Sequence, residues 1–237
     1  TVGHGRDVFQ TGAYLTQFRP DDTQNPFRRI YARKRSDVLA LAERELAGKP
    51  DARVLDLGGG MGRVAVSLAH TYHVDLADIS TAMLQQAEAR AEQANVASGH
   101  LSTHVVDASQ SLPYADANFD LVVCLDLLVH LSDPQAAIQE IFRVLRPGGL
   151  ALIDASNSVP LWVFCYPRYV GKRPARWVNT LRHGGVLPEW ASIVHHMRHA
   201  RFQSWLSAAD FRVEGERQYG PLPLLPKWFL AIVRRPL

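Results

Sequence analysis

The chain has 237 residues, 47% hydrophobic and 21% charged, a balance that excludes a disordered or collagen-like polymer and suits one α/β domain with a modest elaboration. A net charge of +3 does not by itself point to nucleic acid, and no apolar run reaches membrane-spanning length. Of the two cysteines, Cys124 sits in an apolar run, so no disulfide is expected and a reducing, cytoplasmic setting is. The opening residues Thr1 to Asp7 lack a signal-peptide pattern, although the chain does not begin with methionine and an upstream segment stays open.

Residues 1–26 are polar and broken by Gly3, Gly5, Gly12, Pro20 and Pro26, which predicts an irregular arm. From Phe27 to Ala47 the apolar residues Ile30, Val38, Leu41, Ala42 and Leu46 follow a helical period, ended by Gly48 and Pro50. Arg53 to Leu57 reads as a strand, Gly58 to Gly62 as its turn, and Arg63 to His70 as a helix. A second strand is expected at Val74 to Asp78, a helix capped by Ser80 over Met83 to Ala91, and a third strand at His104 to Asp107.

The run Phe119 to Leu125, apolar apart from Asp120, predicts a strand buried on both faces. A helix follows from about Pro134 to Leu145, then a tight turn at Pro147-Gly148-Gly149 leading into a strand at Leu150 to Ile153. This alternation predicts a parallel, doubly wound sheet. Beyond it, Phe202 to Ala209 reads as helix, and Phe211 to Glu216 and Trp228 to Val233 as strands. The proline-rich link between those two strands is too short for a helical crossover, so they should be antiparallel.

The glycines Gly58, Gly60 and Gly62 form G-x-G-x-G between a strand and a helix, where backbone N–H groups meet a ligand closely. Arg63 stands where a nicotinamide site carries its last glycine or alanine. Taken alone, the loop is equally a ligand-free turn. Asp56 precedes it, however, and Asp78 and Asp107 close the next two strands on the same rim. Carboxylates there can accept from a ribose diol or an exocyclic amine.

Val54-Leu55-Asp56-Leu57-Gly58-Gly59-Gly60-Met61-Gly62, Asp78-Ile79-Ser80 with Met83-Leu84, Asp107-Ala108, Leu112-Pro113, Phe119-Asp120 and Arg143-Val144-Leu145-Arg146-Pro147-Gly148-Gly149 together resemble the successive motifs of class I S-adenosylmethionine (SAM) dependent methyltransferases. The likeness covers about residues 50 to 155 and leans toward the quinone-biosynthesis type. It implies a Rossmann-like, doubly wound α/β fold with three α/β/α layers, whose seven-stranded, mostly parallel sheet has an antiparallel last strand. It also implies SAM as cofactor and S-adenosylhomocysteine as product.

By the same resemblance, Asp56 with Gly58, Gly59, Gly60 and Gly62 would face the methionine portion, Asp78 the ribose, and Ile79 and Met83 the adenine surroundings. Asp107, beside Ala108, would accept from the adenine amine, and the backbone at Cys124 and Leu125 would line the methionyl end. Gly59 stands where related chains often have cysteine or serine. The implied organisation is an N-terminal arm and helix (1–49) as lid, a SAM-binding core (50–158), an inserted substrate cap (159–202), and a C-terminal helix with the antiparallel strand pair (203–237).

Methyl transfer needs alignment first and a base only when the acceptor must lose a proton. His130, just past the fourth strand, is the catalytic candidate, with a structural role as its alternative. His195, His196 and His199 form H-H-x-x-H but have no carboxylate partner nearby in sequence, so no metal is expected. Tyr14, Phe18 and Tyr31 either close over the site or pack, and Arg33 and Arg35 either meet the SAM carboxylate or face solvent.

Residues 159–202 interleave basic residues such as Arg168 and Arg176 with aromatics such as Trp162 and Trp177. That mixture suits a small aromatic, lipophilic or anionic acceptor first, and peripheral membrane contact through 161–170 second. Nucleic acid is disfavoured because no binding module or basic tail is present. The rival readings are an RNA-modifying methyltransferase and a non-catalytic SAM-binding scaffold, and a monomer and a homodimer are both open.

Overall fold

The computed structural model describes residues 28–157, 197–220 and 228–237. Helix α1 (Arg28–Leu46) leads into β1 (Arg53–Leu57), α2 (Ala65–Leu68), β2 (His73–Asp78), α3 (Thr81–Gln93) and β3 (Leu101–Val105). Next come β4 (Phe119–Cys124), a 3₁₀ turn (Leu128–His130), α4 (Pro134–Val144) and β5 (Leu145–Ser156). The chain ends with α5 (His199–Ala208), β6 (Arg212–Tyr219) and β7 (Trp228–Arg234). Helix starts use the expected chemistry. Ser80 Oγ accepts from Met83 N ahead of α3, and Asp133 accepts from Ala136 N with Pro134 opening α4.

The seven strands lie in the order β3-β2-β1-β4-β5-β7-β6. β1 pairs in parallel with β2 and β4, and the β2–β3 and β4–β5 pairs are parallel too. β7 runs antiparallel to both β5 and β6, as the short connection required. Strand order reverses between β1 and β4, so the loops after these two strands flank the crevice where open α/β sheets take their ligands.

Helices cover the sheet on both faces, and β4 shows the layering. Leu121 and Val123 pack with α1, α2 and α3 through Val38, Leu68 and Leu84. Val122 and Cys124 pack on the opposite side with Ile138 and Ile141 of α4 and Phe202 of α5. This two-sided burial is why β4 is apolar from Leu121 to Cys124.

Three local expectations need correction. The third strand is Leu101–Val105, ending two residues before Asp107. It is an edge strand paired only with β2, so its Leu-Ser-Thr-His-Val sequence is largely polar or exposed and gives no strong apolar signal. The helix expected from Arg63 to His70 is regular over only four residues, Ala65–Leu68. Gly62, with φ +69°, keeps the preceding turn irregular. Finally, Pro147-Gly148-Gly149 is not a turn before a strand but a distortion inside β5. Phe119 pairs with Leu145 and Leu121 with Leu150, so the extra β5 residues bulge between them. Gly148 takes φ +76°, and Arg235 exchanges backbone hydrogen bonds with Gly148 and Gly149.

Candidate active site

The glycine loop leaves β1 beside the end of β2, where Gly58 N donates to Ala77 O at 2.7 Å. A Cβ at Gly58 would lie 2.9 Å from Leu127, which follows β4, so the loop and the β4 rim are in direct contact across the switch point. A Cβ at Gly62 would lie 2.9 Å from Ala87, and the missing side chain lets α3 approach the turn. At Gly59 a Cβ would collide with Leu76 and the Asp56 carboxylate. The departure from cysteine or serine therefore fits this loop, because the acid is tucked directly beneath it.

Asp56 is only 3% exposed and accepts from Ala65 N at 3.1 Å, joining β1 to the start of α2. Burial pushes its carboxyl up to about 7; the Ala65 N–H opposes that rise and the negative Asp78 adds to it. Its side chain is thus placed under the loop rather than on its open side.

Asp78 does face the open side. Its Oδ2 accepts from Gly60 N and its Oδ1 from Ser80 N, each at 2.9 Å. Burial raises its pKa, while the N–H groups of Ser80, Gly60 and Ile79 and the nearby His130 pull it down. Each carboxylate oxygen keeps a second lone pair beyond these bonds. A Cβ on Gly60 would meet nothing closer than Asp78 Oδ2 and Met83 Sδ, both 4.0 Å away, so loop, acid and thioether border one open position. Ile79 is half-buried beside it. Asp107, past β3, accepts from Ser109 N at 3.0 Å and Ser109 Oγ at 2.6 Å, with Ala108 buried next to it. His130 ends the 3₁₀ turn on the same rim, where its field reaches Asp78.

An ionic centre that the sequence reading missed lies on the β4–β5 side. Arg33 and Arg35 are exposed, but Lys34 between them is only 2% exposed. Its Nζ donates to Asp126 Oδ2 at 2.7 Å and to Asp154 Oδ2 at 2.5 Å. Asp126 N in turn donates to Asp154 Oδ1 at 2.6 Å. The rings of Tyr31 and Trp228 flank the ammonium at 5.5 and 5.1 Å, so Tyr31 is here a packing aromatic. Burial lowers the Lys34 pKa, but the two carboxylates outweigh it and hold the lysine charged. One signal could have revealed this residue: Lys34 stands four residues before Val38, in register with the buried stripe Val38, Leu41 and Ala42. The Cys124 thiol, fully buried in β4, is pushed well up by burial and then by Asp154, Asp56 and Asp126, so these acids share one neighbourhood.

Residues 54–149 match the family described as "Methyltransferase domain". Over this stretch the chain is similar to methyltransferase domains. An O-methyltransferase of Pyrenophora dematioidea is 36% identical over 136 residues, which is 56% of this chain and 50% of that protein. A ubiquinone biosynthesis O-methyltransferase of Psychrobacter cryohalolentis is 33% identical over 126 residues, 53% of this chain and 48% of that one. The chain thus spans about half the length of these relatives. The fold is shared with magnesium protoporphyrin IX methyltransferase from Synechocystis PCC 6803 with bound SAH, at 19% identity and a TM-score of 0.72 over 97% of both chains.

Several expectations about the surroundings of the matched region, namely Tyr14, Phe18, His195, His196 and all but the end of the 159–202 cap, lie outside the described residues. Of the H-H-x-x-H histidines, His199 is described. Its Nε2 lies 2.5 Å from Glu216 Oε2, and its ring packs 4.5 Å from that of Phe229. A carboxylate partner does exist, but it comes from β6, distant in sequence. Among the described residues no three His, Cys, Asp or Glu side chains gather in a metal-holding group, and no helix is long and apolar enough to cross a membrane.

Proposed function

We infer that the chain is an enzyme that transfers the methyl group of SAM to an oxygen, nitrogen or carbon of a small metabolite, leaving S-adenosylhomocysteine. The observation that carries this reading is the convergence of the glycine loop and Asp78 on one open position at the switch point, with Asp107 past the end of β3. The residues fit the cofactor. Asp78 has a lone pair left on each oxygen for a ribose diol, Ile79 and Met83 offer an apolar surface for a base, and Asp107 beside Ala108 would accept from the exocyclic amine. In this reading Gly58, Gly59, Gly60 and Gly62 shape the backbone around the methionine portion, Cys124 and Leu125 line it by their main chain, and Asp56 holds the loop from beneath.

SAM supplies an already activated methyl group, so the protein's share of the work is binding, alignment and exclusion of water. In this reading His130 supports the rim from the turn after β4, and its protonated form favours the ionised Asp78 carboxylate. The acceptor side falls to the β4–β5 rim and, on sequence grounds alone, to the aromatic and basic residues of 159–202, where contact of 161–170 with a membrane surface is the second reading. The names of the relatives favour a small molecule over RNA, and a cytoplasmic enzyme accords with the buried free thiol of Cys124.

Calorimetry with SAM and S-adenosylhomocysteine tests the cofactor assignment, and absence of binding at high micromolar concentration refutes it. Asp78→Ala should weaken SAM binding by about 1.5–3 kcal/mol, the worth of hydrogen bonds to a charged group. Unchanged affinity would remove Asp78 from the site.

A further inference from the structure

Asp126 combines three observations that the cofactor reading does not use. Its backbone lies at φ +55°, a region that residues other than glycine rarely occupy. Both its N–H and its Oδ2 are tied down, the first to Asp154 and the second to Lys34, so the carboxylate direction is set by two elements distant in sequence. Yet its side chain is 40% exposed, and among the described residues no donor reaches Oδ1. Asp154, by contrast, is 1% exposed and has both oxygens engaged. The cluster holds two carboxylates against one ammonium, and of the two carboxylates it is the Asp126 side chain that reaches solvent. In the chain Asp126 stands between Leu125 and Leu127 just past β4, and Leu127 is the residue pressed against Gly58 of the loop.

We propose that Asp126 is the acceptor-side catalytic residue, which receives the proton of an acidic hydroxyl on the acceptor, with Lys34 and Asp154 as its positioning residues. This rests on the methyltransferase reading above. The acceptor oxygen forms the new O–CH3 bond while the S–CH3 bond breaks and its electron pair returns to sulfur. The acceptor O–H bond breaks with its electrons staying on oxygen, and the proton is held on the Asp126 carboxylate, which releases it to solvent after the product departs. A carboxylate suffices as base because a hydroxyl acquiring a methyl group becomes far more acidic than the free phenol or enol. The arrangement therefore selects acceptors that present a phenolic or enolic O–H beside the reacting methyl. The titratable groups facing Asp126 are Lys34 from α1, Asp154 from β5 and Cys124 from β4.

The test uses the intact chain saturated with S-adenosylhomocysteine and three chromogenic phenols, 4-nitrophenol, 4-nitrocatechol and 2-nitro-1-naphthol, whose ionisation is read by absorbance. A carboxylate beside the hydroxyl disfavours the phenolate, so at least one bound phenol should ionise about one pH unit or more above its value in water. Asp126→Asn keeps an oxygen for Lys34 and a residue type at ease with positive φ. It should abolish that shift, leave S-adenosylhomocysteine affinity within about 3-fold, and lower turnover of the same phenol with labelled SAM about 100-fold. Equal ionisation in wild type and variant overturns the proposal, as does a wild type that binds S-adenosylhomocysteine but none of the phenols. A wild type that binds neither SAM nor S-adenosylhomocysteine refutes the cofactor reading itself.

Discussion

Replacing Lys34 with methionine removes the ammonium but keeps the length of an unbranched side chain. The deleted group donates two charge-assisted hydrogen bonds, to Asp126 and Asp154, each worth about 1.5–3 kcal/mol. Its loss strands Asp154, which is 1% exposed, without a cation. Deleting one member of a buried pair typically destabilises by about 3–5 kcal/mol, and that is the deficit expected for Lys34→Met at pH 8. The deficit should depend on pH. Burial already raises the Asp154 pKa above its usual value of 3.8, and Lys34 opposes the rise. Without the lysine the folded-state pKa climbs further, so the variant binds a proton on folding at mildly acidic pH. A raised folded pKa contributes stability at low pH that is lost as pH rises, so the deficit should shrink by roughly 2 kcal/mol between pH 8 and pH 4. Urea unfolding followed by tryptophan fluorescence at both pH values measures this, and adding Asp154→Asn should recover most of the loss. A deficit below about 1 kcal/mol at pH 8, or one identical at the two pH values, would refute the reasoning.

Gly62→Ala places a Cβ 2.9 Å from Ala87 at a φ of +69°, and should destabilise by about 2–3 kcal/mol from left-handed strain and the close contact together; a thermal midpoint equal to wild type would contradict the tight packing of the turn on α3. The Asp56 carboxyl, raised from 3.8 to about 7, favours the folded state most below pH 4 and loses that contribution as pH rises through 7. Relative to Asp56→Asn, wild-type stability should fall by at most about 4 kcal/mol across that window, and parallel urea midpoints from pH 4 to 8 would exclude it. Arg143 ties α4 to the preceding loop through the carbonyls of Leu112 and Tyr114 and the carboxylates of Asp116 and Glu140. Arg143→Ala should cost about 2–3 kcal/mol in urea unfolding, and a loss under about 0.5 would mean that those bonds are replaced by water.

The alternation of strands and helices, the two-sided burial of β4 and the antiparallel end of the sheet were legible in the chain because each follows from local periodicity or from the length of a connection. So was the acidic rim, since Asp78 closes its strand and Asp107 follows the next within two residues, and the glycine loop marks the strand before them. Local pattern failed where a neighbour distant in sequence decides the outcome. The edge position of β3 removed its apolar signal, and Pro147-Gly148-Gly149 stays in β5 because Arg235 supplies backbone partners from the chain's far end. Lys34 and Asp154 are 120 residues apart, and neither residue alone announces a buried charge. The sequence by itself determined the family-wide frame, because hydrophobic period and turn chemistry act over a few residues. Only the tertiary structure decided which charges stand in that frame without water, and which of them, at Asp126, turns outward, because burial and Coulomb partners depend on what the sheet order brings together.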